Sequence, residues 1–323
     1  MSPDVFVKLL AIFAVVAIGW GAAKSGKLGA EEGSRVLSAA AFYVFVPALL
    51  FRTTARIDFH RLDIRVVVAF FAPTLALVTV VYTALRLRAR AGAAAEPSVR
   101  AITSSFGNAV QIGIPLAAAL FGEAGLALHL TVVGLHSLTL LTVLTALVEL
   151  DLARANPGLG DGRARLLRTL ATTVRNTVIH PVVLPVLAGL AWNLSGLALP
   201  GLVDEILGTL GQAVVPVCLV LIGVSLAHHG LRGALRAATL LAAVKLAVHP
   251  LAVLLFARYA VGLDGVALAI VVMLAALPVG SNALIFAQRY RTLPAETSTA
   301  IVLSTLAFVV TAPLWLAILH VTG

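Results

Sequence analysis

Two stretches of this sequence place polar and helix-breaking residues inside otherwise apolar segments. The first reads Ser105-Phe106-Gly107-Asn108-Ala109-Val110-Gln111-Ile112-Gly113-Ile114-Pro115-Leu116, and the second reads Leu277-Pro278-Val279-Gly280-Ser281-Asn282-Ala283-Leu284. Proline removes a backbone donor and collides with the carbonyl four residues earlier. In an apolar medium each backbone group set free in this way costs several kcal/mol unless protein or water takes it up, so both breaks are expected to face a cavity or another helix. A helix restarted after such a break offers free N–H groups and a partial positive charge, which suit an anion. The amides of Asn108, Gln111 and Asn282 would add neutral hydrogen bonds, and Pro115 and Pro278 would set the helix ends.

Ionisable groups inside apolar segments form a second set. Lys245 and His249 are four apart and share a helix face. A buried cation there calls either for a role in coupling or charge balance, or for a structural partner such as the open backbone of a broken helix. His249 precedes Pro250 and reads as the more structural of the two. His129 and His136 lie seven apart, roughly on one face, and His180 follows in a later apolar block. Each could titrate near neutral pH, though packing is the commoner use of such histidines. The lone Cys218 has no partner for a disulfide or thiolate metal site. There is no His-Glu-x-x-His, no Gly-x-Ser-x-Gly and no paired intramembrane aspartate, so no metal, no cofactor and no catalysis are expected.

The elements that must position these residues follow from composition. Hydrophobic residues make up 60% of the chain and charged residues 11%, with mean hydropathy +1.05, which excludes a water-soluble fold. At roughly 20 apolar residues per crossing, 323 residues hold about ten transmembrane helices and no large soluble domain. The hydropathy pattern predicts spans near 4–23, 35–52, 64–86, 101–121, 125–149, 176–195, 203–227, 234–258, 264–289 and 296–320. The first of these lacks a cleavage site before Lys24 and reads as a span, not a signal peptide.

Sixteen of the Lys and Arg residues fall in the odd-numbered loops and five in the even-numbered ones. Basic loops stay cytoplasmic, so both termini are expected on the extracytoplasmic side of the cell's inner (plasma) membrane. The net charge of +9 arises from these arginine-rich loops, without the basic aromatic-interleaved face of a nucleic-acid binder. The polar segment 151–175, with Asn156-Pro157-Gly158 and Gly160-Asp161-Gly162, separates a first five-helix repeat (1–150) from a second (176–323). Five crossings on each side invert the second half, so the fold class is all-α polytopic with two inverted repeats. The broken spans are then the fourth and the ninth, at equivalent places. Paired breaks of this kind are the best sequence pointer to the substrate site of a transporter, and a lipid bilayer and a small solute are the expected partners. Scattered small residues are compatible with a homodimer.

The residues resemble those of the auxin efflux carrier family, which includes plant PIN proteins and bacterial malate or malonate permease-like members. The resemblance rests on Gly107-Asn108, Gly113-Ile114-Pro115-Leu116 and Phe121-Gly122, then Ala276-Leu277-Pro278 leading to Phe286-Ala287-Gln288-Arg289-Tyr290. It extends to Val215-Pro216, Gly223-Val224-Ser225-Leu226, Val244-Lys245, Ser304-Thr305 and Thr311-Ala312-Pro313. The chain departs from the family at Arg175-Asn176-Thr177, where a proline usually follows the asparagine. The resemblance implies crossed, discontinuous helices four and nine, a scaffold of helices 1, 2, 6 and 7, and a mobile transport domain of helices 3–5 and 8–10. It implies elevator-type secondary transport of small organic anions such as carboxylates or auxin-like acids, with Asn108, Pro115 and Pro278 at the substrate. A sodium-coupled organic anion symporter of the bile-acid type resembles the same architecture and is the alternative.

Overall fold

The computed structural model describes residues 3–26, 31–56, 64–88, 93–155, 164, 167–168, 171–172, 174–175, 178–179, 181, 183–228 and 235–322. Every regular element among them is helical. Apolar content and backbone saturation explain this, since a helix satisfies its own N–H and C=O groups without help from neighbours. We number the helices α1 (Pro3–Lys24), α2 (31–55), α3 (Ile64–Arg86), α4 (Glu96–Ser105), α5 (109–121), α6 (123–155), α7 (Val183–Leu194), α8 (Gly201–Gln212), α9 (Val214–His228), α10 (Leu235–Ala260), α11 (Gly265–Ala276), α12 (Ser281–Arg289) and α13 (Pro294–Thr322). Six helical runs, 35–55, 64–86, 109–152, 201–224, 235–260 and 294–320, are long and apolar enough to cross a bilayer. Shorter apolar helices cover Leu10–Lys24, Val183–Leu194 and Gly265–Ala276. Most of the expected linker 151–175, together with Asn176, Thr177 and His180, lies outside the described residues, whereas α6 itself continues to Ala155.

Three prolines share one arrangement. Pro47, Pro115 and Pro250 each follow, by two residues, a widened π turn at Ala41–Phe45, Ala109–Gly113 and Val244–Val248. The wider turn relieves the collision between the proline ring and the carbonyl four residues back. That carbonyl also loses its helical partner, and for Pro250 the replacement is explicit: Trp315 Nε1 donates to the Leu246 carbonyl at 2.8 Å. Between α5 and α6 the chain turns at Gly122, whose φ of 64° lies in the left-handed region that favours glycine.

Helix α1 packs along α9, and α2 packs on α7 and α8. A second set of neighbours joins α3 to α4 and α10, and α10 to α11 and α13. Val78 of α3, Val99 and Ile102 of α4, Leu140 and Leu144 of α6, Phe286 of α12 and Ala300 of α13 belong to one apolar cluster. Ion pairs tie the ends. Arg100 grips Glu296 with two bonds of 2.8 and 3.2 Å, Arg86 and Tyr82 both donate to buried Asp151, and Arg52 and Arg56 both reach Asp204.

Candidate functional site

The site is built where two helices are interrupted against each other. α4 ends at Ser105 and α11 at Ala276; after short extended segments the chain restarts as α5 and α12. The extended segments meet as a single antiparallel bridge between Gly107 and Val279. Asn108 N–H donates to the Pro278 carbonyl at 2.8 Å, and Gly280 N–H donates to the Phe106 carbonyl at 2.9 Å. Each break therefore satisfies the other's backbone, which is what an apolar surrounding requires. The approach is close enough that a Cβ on Gly280 would stand 2.7 Å from the Gly107 carbonyl oxygen, so only glycine fits there.

The remaining freed groups find side chains. Ser304 Oγ, on α13, accepts from Val279 N–H at 3.0 Å. From α6, His136 Nε2 accepts from Gly107 N–H at 3.4 Å, and His129 Nε2 pairs with the Ala109 carbonyl at 2.8 Å. The seven-residue spacing of these histidines thus delivers both rings to the first break. Asn108 caps α5: its Oδ1 accepts from Gln111 N–H at 3.2 Å, and its Nδ2 donates to Gln111 Oε1 at 3.0 Å.

The interruption falls at residues 106–108. Sequence reading placed it at Pro115, which lies buried inside α5, because the π turn Ala109–Gly113 absorbs the proline and lets the helix continue. A cavity of about 400 Å³ opens at the crossing. Asn108 and Asn282 line it; Gln111, Pro115 and Pro278 do not, although Gln111 orients Asn108 and Pro278 holds its backbone. The opposite wall is α2, with Arg35, Ser38, Phe42 and Tyr43. His136 and Ser137 complete it from α6. Its described lining includes one formal charge, the Arg35 guanidinium, and no carboxylate. Sequence reading missed Arg35 and the α2 wall, because nothing local marks a loop-proximal arginine as facing a distant break.

Lys245 and His249 sit behind the crossing, both fully buried, and neither lines the cavity. Lys245 Nζ donates to the Ala275 carbonyl in the last turn of α11, and a Cβ built on Gly107 would lie 3.5 Å from that nitrogen. The lysine therefore offsets the partial negative charge where α11, and close by α4, come to an end. His249 Nε2 pairs with Thr74 Oγ1 at 2.8 Å, and Phe70 packs against both His249 and His136.

A multi-pass helical membrane protein whose cavity lies against two interrupted helices is built as a solute carrier. A family model described as membrane transport protein matches residues 4–316, and the chain belongs to that family, the auxin efflux carriers. An "Uncharacterized transporter" of Methanothermobacter thermautotrophicus is 24% identical over 311 residues, 96% of this chain and 97% of that protein. A "Putative malonate transporter" of Rhizobium meliloti is 23% identical over 269 residues, 83% of this chain and 82% of that protein. The family is one of membrane transport proteins, and both relatives carry the names of transporters.

Proposed function

We propose that this protein is a secondary transporter of small organic carboxylates, which bind at the crossing between the N-termini of α5 and α12. The observation that carries this reading is the convergence of Asn108 and Asn282, each at a helix N-terminus, on one cavity whose described lining bears a cation and no carboxylate. Helix N-termini favour anions electrostatically and supply N–H donors without a charged side chain. The name carried by the Rhizobium relative adds malonate as a compound worth testing.

The ten spans read from hydropathy correspond to α1, α2, α3, α4 with α5, α6, α7, α8 with α9, α10, α11 with α12, and α13. In this reading α4 is a half-span: its 10 residues rise about 15 Å, half of a hydrocarbon core of about 30 Å. α1, α2, α7, α8 and α9 act as scaffold and the rest as the moving part. The packing of α1 on α9 and of α2 on α7 and α8 supports that grouping. The cavity lies between α2 and the crossing, so sliding one set past the other would carry a bound solute across in an elevator motion.

The test is thermal stability of the purified protein against malonate, 3-phenylpropanoate and sodium. A ligand at 100 times its dissociation constant stabilises by about 2.7 kcal/mol. A carboxylate is expected to raise Tm, and Asn108→Ala to weaken that carboxylate's binding by about tenfold or more, the loss of one hydrogen bond to a charged group. A shift with sodium and none with any carboxylate would replace this reading with a sodium-coupled one.

A further inference from the structure

His136 differs from the other buried ionisable groups around the crossing. Lys245 is committed to the Ala275 carbonyl, His249 to Thr74 and His129 to the Ala109 carbonyl, the last two at 2.8 Å. None of these three lines the cavity. His136 does, and its hold on the crossing is a single long bond of 3.4 Å from Gly107 N–H to Nε2. Because Nε2 accepts, the imidazole is neutral and its hydrogen sits on Nδ1. That Nδ1 is buried with no hydrogen-bond partner among the described residues, so no second bond from them fixes the ring. The ring is 2% exposed, between Phe106 at 4.4 Å and Phe70 at 5.6 Å, and it adjoins the N-terminus of α5.

We propose that His136 is a substrate-contacting residue that takes up one proton when a carboxylate binds, making the transport proton-coupled. This inference rests on the carboxylate reading above. A proton from solution adds to Nε2 and releases the Gly107 N–H; the incoming carboxylate accepts from both the new Nε2–H and the released Gly107 N–H. The exchange replaces one long neutral hydrogen bond with a charge-assisted one. The described titratable groups that face His136 are Lys245 and His249 from α10 and His129 from its own helix, with Arg35 on α2 across the cavity. None is acidic, so a second positive charge beside Lys245 has no described counter-charge until an anion arrives. Proton and carboxylate therefore bind together.

Proton uptake is read in weakly buffered detergent solution with a pH indicator, on adding malonate or 3-phenylpropanoate to the wild-type protein. Between about pH 6.5 and 8.5, above the ordinary carboxyl range, wild type is expected to take up close to one proton per carboxylate bound. Its affinity is expected to rise as pH falls, by at most about tenfold per pH unit. His136→Gln keeps an acceptor for Gly107 N–H and cannot titrate; it is expected to bind with a pH-independent affinity and to take up no proton. His136→Asn serves the same purpose if the glutamine variant does not fold. His249→Gln is expected to retain the uptake. Carboxylate binding by wild type without proton uptake overturns the role of His136 and leaves the carboxylate reading standing, as does uptake that survives in His136→Gln. Absence of binding by any carboxylate at any pH overturns both.

Discussion

Asn108 serves two purposes with one side chain. Its amide caps α5 through Gln111 and its backbone ties the first break to Pro278, while the same residue lines the cavity. Alanine there is therefore expected to lower both affinity and stability, and the comparison of Tm with and without carboxylate separates them. Ser304 has only the structural role. Its Oγ is the acceptor for Val279 N–H in the second extended segment and it does not line the cavity. Ser304→Ala is expected to cost about 1–3 kcal/mol through a buried N–H left without a partner, seen as a lower Tm with carboxylate affinity little changed. Lys245 donates to the Ala275 carbonyl at the end of α11, which gives the buried amine a partner in an apolar setting.

At the scale of elements, two devices let helices approach or bend. α1 and α9 meet through Gly19 and Gly223; a Cβ on Gly223 would collide with the Val16 carbonyl and stand 2.6 Å from Trp20 N. These are backbone atoms that cannot swing aside, so Gly223→Leu is expected to cost about 3 kcal/mol or more and to separate this pair, read as a loss of folded protein in detergent. α10 bends at its π turn, and the carbonyl released by Pro250 depends on the Trp315 indole. Trp315→Phe retains most of the ring and removes the donor; a fall in stability of about 1–3 kcal/mol is expected from thermal melts.

The whole molecule is constrained by how its loops sit across the bilayer. Ser25 follows α1 beside Lys24 and is exposed, and Ser195 follows α7 and is exposed. With the arginine-rich loops inside, a membrane-impermeant maleimide added to intact cells is expected to label Ser195→Cys and to reach Ser25→Cys only after permeabilisation. Cys218 is buried and is replaced by alanine in both backgrounds. Labelling in the reverse order would invert the orientation.

Helical class, the positions of most helices and the existence of two interruptions were readable from the sequence, because each depends on local composition. Twenty apolar residues in lipid favour a helix, and a cluster of Gly, Asn and Pro in their midst weakens it there. Asn108 and Asn282, which line the cavity, stood out in the sequence as amides inside apolar runs. The tertiary structure alone decided that the first interruption falls at 106–108 and not at Pro115, since a π turn and an asparagine cap settle it between them. It also decided that Lys245 faces the end of α11, that His136 and not His249 reaches the cavity, and that Arg35 closes the far wall. Those relations join residues as far apart as Arg35 and Ile285, 250 positions, around one cavity, and a helix's own sequence states which face is apolar without stating which neighbour it meets.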